Sequence, residues 1–268
     1  MEVTSPAGQN IPIRTVPNLR DLGGWSTPGG RVRSGLIYRS AEFSDLQGDD
    51  AAAFGKLGIR SVYDLRTAEE RTANPNTVPA GTEYIVIDVL QDAQGASPAL
   101  MAKVLGDPKF AEELLGGGKA VTMFEGSYRQ IIALPSALEA YRLFFTDIAE
   151  PEHRPAVFHC QTGKDRTGWA AASLLLLLGV SKDDVYADYL LTNDQLLPAL
   201  EPMFEKFEAA GGDRKLITPV LGVQSSFLDA GIDEMEKRYS TIEGYFTKGL
   251  GFDTDWIDGV RATYIETD

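Results

Sequence analysis

Ten consecutive residues, His159-Cys160-Gln161-Thr162-Gly163-Lys164-Asp165-Arg166-Thr167-Gly168, constrain this chain more than any other feature. They stand between a short apolar run, Ala156 to His159, and an apolar stretch with helical spacing, Arg166 to Leu178. A strand that turns tightly at a glycine and opens straight into a helix can aim its loop N–H groups at one centre, with the positive end of the helix behind them. Residues Gln161 to Arg166 are the expected anion-binding loop. A thiol held at a helix start beside Lys or Arg is stabilised as the thiolate, so Cys160 is the expected nucleophile. Arg166 offers a planar fork that matches two phosphoryl oxygens. Thr167 can donate to the sulfur and help it leave in a second step. His159, at the strand end, is expected to orient the loop, and Gly168 to let helix and loop approach closely.

Short runs rich in β-branched and aromatic residues are expected strands: Gly35 to Arg39, Ser61 to Leu65, Tyr84 to Asp88 and Ala156 to His159. Helical spacing covers Asp49 to Leu57, Tyr128 to Ile148, Arg166 to Leu178, Asp183 to Leu191, Gln195 to Ala209, Ser225 to Tyr239 and Thr241 to Phe246. Strand and helix alternate, which indicates an α/β sheet with parallel members flanked by helices. Between Gln91 and Gly118 the punctuation is heavy, with Gly95, Pro98, Gly106, Pro108 and a triplet of glycines. A loop with two short helices is expected there. No repeat or Pro/Ser-rich linker divides the chain, so residues 1–268 read as a single domain.

The net charge of -14 opposes binding to nucleic acid or an anionic membrane surface, so an anionic substrate must be drawn in locally. Cys160 is the only cysteine and His153 and His159 the only histidines, which excludes a disulfide and a Cys/His zinc cluster. No metal or other cofactor is expected. The start of the chain lacks a basic segment followed by an apolar run, and the longest apolar run, Trp169 to Leu178, is too short to cross a bilayer. The expected location is cytoplasmic, or secreted without a recognisable signal peptide.

The loop resembles the HCxxGxxR[ST]G signature of the protein-tyrosine phosphatase superfamily. With Lys164 and Asp165 inside it, it is most similar to the bacterial group typified by the mycobacterial secreted protein-tyrosine phosphatase B. Asn18-Leu19-Arg20-Asp21, Arg39-Ser40, Asp64-Leu65-Arg66 and Asp188 to Asn193 resemble further short elements of that group. The resemblance implies a phosphatase-type α/β fold with a helical lid, here over about 91–134. It implies activity on phosphotyrosine, with extension to phosphoserine, phosphothreonine and phosphoinositides, through a phosphocysteine intermediate. The expected partners are phosphorylated proteins or phosphoinositides, with no oligomeric state indicated.

Two carboxylates compete as general acid for the leaving group. Asp165 matches the loop aspartate given that role in the resembling group. Asp92, and after it Asp88, follows a strand and could act from a mobile loop. Asp165 is favoured because a fixed loop residue needs no lid closure. Lys164 could meet a second phosphate, or simply balance Asp165. Arg66 could line the pocket, but Arg20, Arg39 and Arg66 read first as structural ion-pair partners of Asp21, Glu42 and Asp64. Tyr128 and Met123 read as core rather than lid contacts, and Asp188, Tyr189 and Asn193 as packing behind the loop, Asn193 also as a possible buttress to it. A rhodanese-type sulfurtransferase and a non-catalytic phosphate-binding module are the alternative functions. The Thr167-Gly168 continuation disfavours the first, and the intact Cys160 and Arg166 the second.

Overall fold

The computed structural model describes residues 6–93 and 98–267. Its first half contains β1 (Arg20–Asp21), β2 (Ser26–Thr27), β3 (Gly30–Val32), β4 (Ile37–Ser40), α1 (Gly48–Gly55), β5 (Ser61–Asp64), α2 (Ala68–Ala73), β6 (Glu83–Val86), α3 (Pro98–Gly106), α4 (Pro108–Leu115) and α5 (Lys119–Ala133). The second half contains α6 (Pro135–Ala149), β7 (Ala156–His159), α7 (Arg166–Leu177), α8 (Lys182–Ala209), α9 (Arg214–Leu221), α10 (Ser225–Tyr239), α11 (Ile242–Gly244), α12 (Thr254–Tyr264) and β8 (Ile265–Glu266).

The central sheet has the order β1-β4-β7-β5-β6. The last four strands in that order run parallel, and β1 pairs antiparallel with β4. This is the mostly parallel α/β arrangement that the strand–helix alternation predicts. Side chains alternate across a strand, so register decides which residues share a face. Arg39, Phe158 and Tyr63 form one row, and Ser40, His159 and Asp64 the next. On the first face Phe144 of α6 packs on Phe158 at 4.8 Å and on Tyr63 at 5.2 Å between ring centroids. On the other face Tyr38, Val62 and Val157 join Phe43 and Phe54 in a smaller core closed by α1. Burial on both faces explains why β4, β5 and β7 lack a polar–apolar alternation.

Three features depart from the sequence reading. Strands β2, β3 and β8 form a small antiparallel sheet that the sequence does not announce, because two or three residues carry no periodicity. The single helix expected from Tyr128 to Ile148 is two helices. Leu134 is extended at φ -66 and ψ 137, as a residue before proline prefers, and Pro135 starts α6. Conversely, the separate helices expected at Asp183 to Leu191 and Gln195 to Ala209 are one continuous α8, running through Pro198 and Pro202. Thr192, between the two expected helices, is fully buried and accepts from Arg20 at 3.4 Å, so tertiary packing overrides its low helix propensity.

The two short helices expected before Gly118 are α3 and α4, whereas positions 94–97, including Gly95, lie outside the described residues. From α5, Phe124 stacks on Phe227 of α10 at 5.3 Å. The same helix carries Tyr128 beneath the Cys160 loop.

Candidate active site

Cys160 leaves β7 and Arg166 opens α7, so the loop lies at the carboxyl ends of the parallel strands, where open α/β sheets gather ligands. Gly163 turns it at φ 69, and a Cβ there would sit 2.2 Å from the Ser40 carbonyl oxygen. Only glycine fits.

Every carbonyl from Cys160 to Lys164 accepts from a donor outside the loop or at its edge. That of Cys160 accepts from His159 Nδ1 at 2.9 Å, and that of Gln161 from the Glu42 N–H at 3.2 Å. Asn18 Nδ2 donates to the Thr162 and Gly163 carbonyls at 3.3 and 3.1 Å, and Arg39 Nη2 adds a bond to Gly163 at 2.8 Å. The Tyr128 hydroxyl donates to Lys164 at 3.4 Å. In a trans peptide the N–H points opposite to the C=O. Holding these carbonyls outward therefore turns the N–H groups of Gln161 through Asp165 to the inner side of the loop, as an anion nest requires.

The donors are themselves held from behind. Asp188 of α8, fully buried, accepts from Arg20 Nε at 2.9 Å and from Arg39 Nη1 at 2.7 Å. Burial pushes this carboxyl up, but the two guanidinium groups outweigh it and hold it below the ordinary range. Asp21 and Glu42, the expected partners of these arginines, are occupied elsewhere. Asp21 accepts the N–H groups of Gly23 and Gly35, and Glu42 that of Ser44. Nearness in sequence misled because Asp188, more than a hundred residues away, meets both arginines across the fold. The third pair is as expected: Arg66 grips Asp64 with Nη2 at 2.8 Å and Nε at 2.9 Å, and reaches the Gln161 side chain at 3.4 Å.

Cys160 is 1% exposed and Arg166 8%. Arg166 donates through Nη1 and Nη2 to the two oxygens of Glu70, at 2.7 and 2.6 Å, and through Nη1 to the Leu65 carbonyl at 3.4 Å. Burial pushes the Glu70 carboxyl up, but the Arg166 charge and fork dominate and hold it at about 2. Glu70 was absent from the sequence candidates. Its signal is the Thr67-x-x-Glu70 spacing, a capping box that the structure realises at the start of α2.

Lys164, buried, donates to Asp165 Oδ1 at 3.0 Å and lies 4.1 Å from the centre of the Phe124 ring. The Asp165 side chain is 24% exposed. Asp92 is engaged at the start of α6, where its carboxylate accepts the Ser136 N–H at 2.9 Å. Asp88 accepts the Leu90 N–H at 3.0 Å, and burial raises it while Arg71 and Arg166 oppose. Tyr128 is core, bonded to the Tyr189 hydroxyl at 2.6 Å, whereas Met123 is exposed, contrary to its reading as core. Asn193 does not buttress the loop; it exchanges two bonds with the backbone of Val223. The Thr167 hydroxyl is buried without a hydrogen-bond partner among the described residues. Those residues also contain no cluster of His, Cys, Asp and Glu suited to a metal ion, and no helix long and apolar enough to cross a membrane.

The chain is similar to known phosphatases along nearly its whole length. The model of the tyrosine phosphatase family matches residues 11–266. A putative tyrosine-protein phosphatase of Cupriavidus necator is 29% identical over 256 residues, covering 93% of this chain and 87% of that protein. The triple specificity protein phosphatase PtpB of Mycobacterium tuberculosis is 29% identical over 279 residues, covering 94% of this chain and 99% of that protein. A tyrosine-protein phosphatase of Nostoc commune is 28% identical over 238 residues, covering 86% and 74%.

Proposed function

The chain belongs to the tyrosine phosphatase family, and from that membership we propose that it hydrolyses phosphotyrosine, and also phosphoserine, phosphothreonine and phosphoinositides, through a phosphocysteine intermediate. The observation that carries this reading is the outward fixing of five successive loop carbonyls, which leaves five N–H groups for one oxyanion next to a buried cysteine.

In the first step the Cys160 sulfur attacks phosphorus as the bond to the leaving oxygen breaks, and Asp165 gives that oxygen a proton. In the second step a water attacks the phosphocysteine, Asp165 takes a proton from it, and sulfur leaves with its electron pair. The loop amides and Arg166 bind the equatorial oxygens in both transition states. Glu70 and Leu65 occupy one side of the Arg166 guanidinium, which leaves its Nε–Nη2 edge for a phosphoryl group. The Thr167 hydroxyl, without a partner among the described residues, suits donation to the departing sulfur.

Asp165 is favoured over Asp92 as the acid because it is part of the loop and partly exposed, whereas Asp92 is engaged at α6. Lys164 supplies a second cation for a neighbouring phosphate on an inositol ring. Residues 1–268 act as one phosphatase domain, with the segment from about 91 to 134 as a lid. Phosphorylated proteins or phosphoinositides are its partners, in the cytoplasm or after export, and no cofactor takes part.

The test is a panel of phosphotyrosine, phosphoserine and phosphoinositide substrates with wild type and Cys160→Ser, together with acid trapping of the enzyme during turnover. Loss of all turnover in the variant and a phosphorylated Cys160 in the wild type are expected. Undiminished turnover by Cys160→Ser would overturn the reading.

A further inference from the structure

We propose that Asn76, in the loop after α2, is a positioning residue that fixes the tautomer of His159 and thereby the peptide plane that leads from Cys160 into the anion-binding loop.

The proton assignment follows from four contacts. Asn76 Oδ1 accepts the backbone N–H of Phe43 at 3.2 Å, and a backbone N–H can only donate. The Asn76 amide nitrogen faces a carboxylate oxygen of Asp64 at 3.4 Å; Asp64 is gripped by Arg66 through Nε at 2.9 Å and Nη2 at 2.8 Å, a carboxylate paired with a guanidinium, so it can only accept. These two neighbours fix which end of the amide is which. The same nitrogen lies 2.8 Å from His159 Nε2, which must therefore accept and carry no proton. The remaining proton of a neutral imidazole is on Nδ1, which donates to the Cys160 carbonyl at 2.9 Å, a group that can only accept. No other assignment satisfies all four contacts.

The surroundings agree with a neutral ring. His159 is fully buried, and burial lowers its proton affinity. The charged groups that act on it are Asp64, with an oxygen 3.8 Å from Nε2, and the guanidinium groups of Arg66 and Arg166. Phe43 covers one side of the ring at 5.0 Å between centroids. Asn76 thus does for this histidine what a carboxylate or carbonyl does for a metal-bound one: it selects the nitrogen that carries the proton.

The consequence for the site is geometric. Drawing the Cys160 carbonyl back onto Nδ1 turns the N–H of Gln161, on the same peptide plane, the opposite way. That N–H is the first donor of the nest. If His159 carried its proton on Nε2, two lone pairs would face each other across 2.9 Å and the plane would rotate.

Asn76→Asp isolates the effect, because the new side chain still accepts from Phe43 but no longer donates to His159. With only two histidines in the chain, nitrogen-15 spectra of the imidazoles resolve each tautomer. The wild type is expected to show His159 protonated on Nδ1 and bare on Nε2 near neutral pH. In Asn76→Asp, the ring proton is expected to move from Nδ1 to Nε2, with kcat/KM on an aryl phosphate falling about tenfold or more. A wild-type His159 with its proton on Nε2 overturns the assignment; in the variant, a ring that keeps its Nδ1 proton, or one protonated on Nε2 alone with unchanged kcat/KM, overturns the positioning role. Should Asn76→Asp not fold, Asn76→Ala is expected to show mixed tautomers with the same loss, and a pure Nδ1-protonated ring there overturns the proposal. The kinetic readout rests on the phosphatase reading and the spectrum does not, so the two failures are distinguishable.

Discussion

Glu70 holds Arg166 with both carboxylate oxygens, at 2.6 and 2.7 Å, while the same carboxylate accepts the Thr67 N–H at 2.9 Å in the cap of α2. One side chain thereby aims the arginine of the loop and closes a helix start. Its burial raises the carboxyl, but Arg166 outweighs that and keeps it at about 2 against an ordinary 4.5. A depressed folded value means that the contribution to stability is present above about pH 4.5 and lost as pH falls towards about 2.

Glu70→Gln is therefore expected to lower stability by about 3–5 kcal/mol near neutral pH, since it leaves Arg166 buried without its counter-charge. It should also lower kcat by about a hundredfold through misalignment of the fork. Urea unfolding of both proteins near neutral pH and near pH 3 checks the linkage. The gap between them should narrow in acid, and a constant gap would refute the ion pair as its source.

Asp188 balances two buried arginines from a single helix position. Asp188→Ala should cost about 3–5 kcal/mol, because two guanidinium groups are left uncompensated. Activity should fall along with stability, since Arg39 also positions the Gly163 carbonyl. A shift in urea midpoint corresponding to less than about 1 kcal/mol, the range of exposed pairs, would contradict the buried network.

Gly163→Ala meets two obstacles, a left-handed backbone at φ 69 and the Ser40 carbonyl 2.2 Å from the added carbon. The backbone alone costs about 1–2 kcal/mol in L residues. Movement of the loop away from Ser40 should abolish vanadate binding before it unfolds the protein. Retained vanadate affinity in a folded variant would show that the loop tolerates the carbon.

Asp165→Asn and Asp92→Asn separate the two candidate acids. The first is expected to reduce turnover of an alkyl phosphate by about 10²–10⁴ and that of a nitrophenyl phosphate far less, because a good leaving group needs no proton. The second, which keeps an oxygen to accept from Ser136, should change both substrates little. Intact alkyl phosphate turnover by Asp165→Asn would remove Asp165 from the role.

The loop from Cys160 to Gly168, the four parallel strands and the helix after the loop were legible in the chain itself, because each depends on local chemistry. Gly163 turns because of what glycine permits, and Ala156 to His159 lies between two parallel strands because its side chains can be buried on both faces. Residues whose role depends on a distant partner were not legible. Arg20 and Arg39 are close to Asp21 and Glu42 in sequence but are neutralised by Asp188, and Glu70 and Asn76 carry no apolar periodicity that would mark them. Sequence proximity is a poor guide to ion pairs because a charge finds its partner across a packed interior. The amino-acid order alone therefore determined the cysteine at the strand end, the tight glycine turn and the arginine that opens the helix, since backbone geometry over ten residues suffices for them. Only the tertiary structure decided which carboxylate holds that arginine and which amide meets the histidine before the cysteine, because those contacts exist only once α2 and the loop after it lie against the start of α7 and the end of β7.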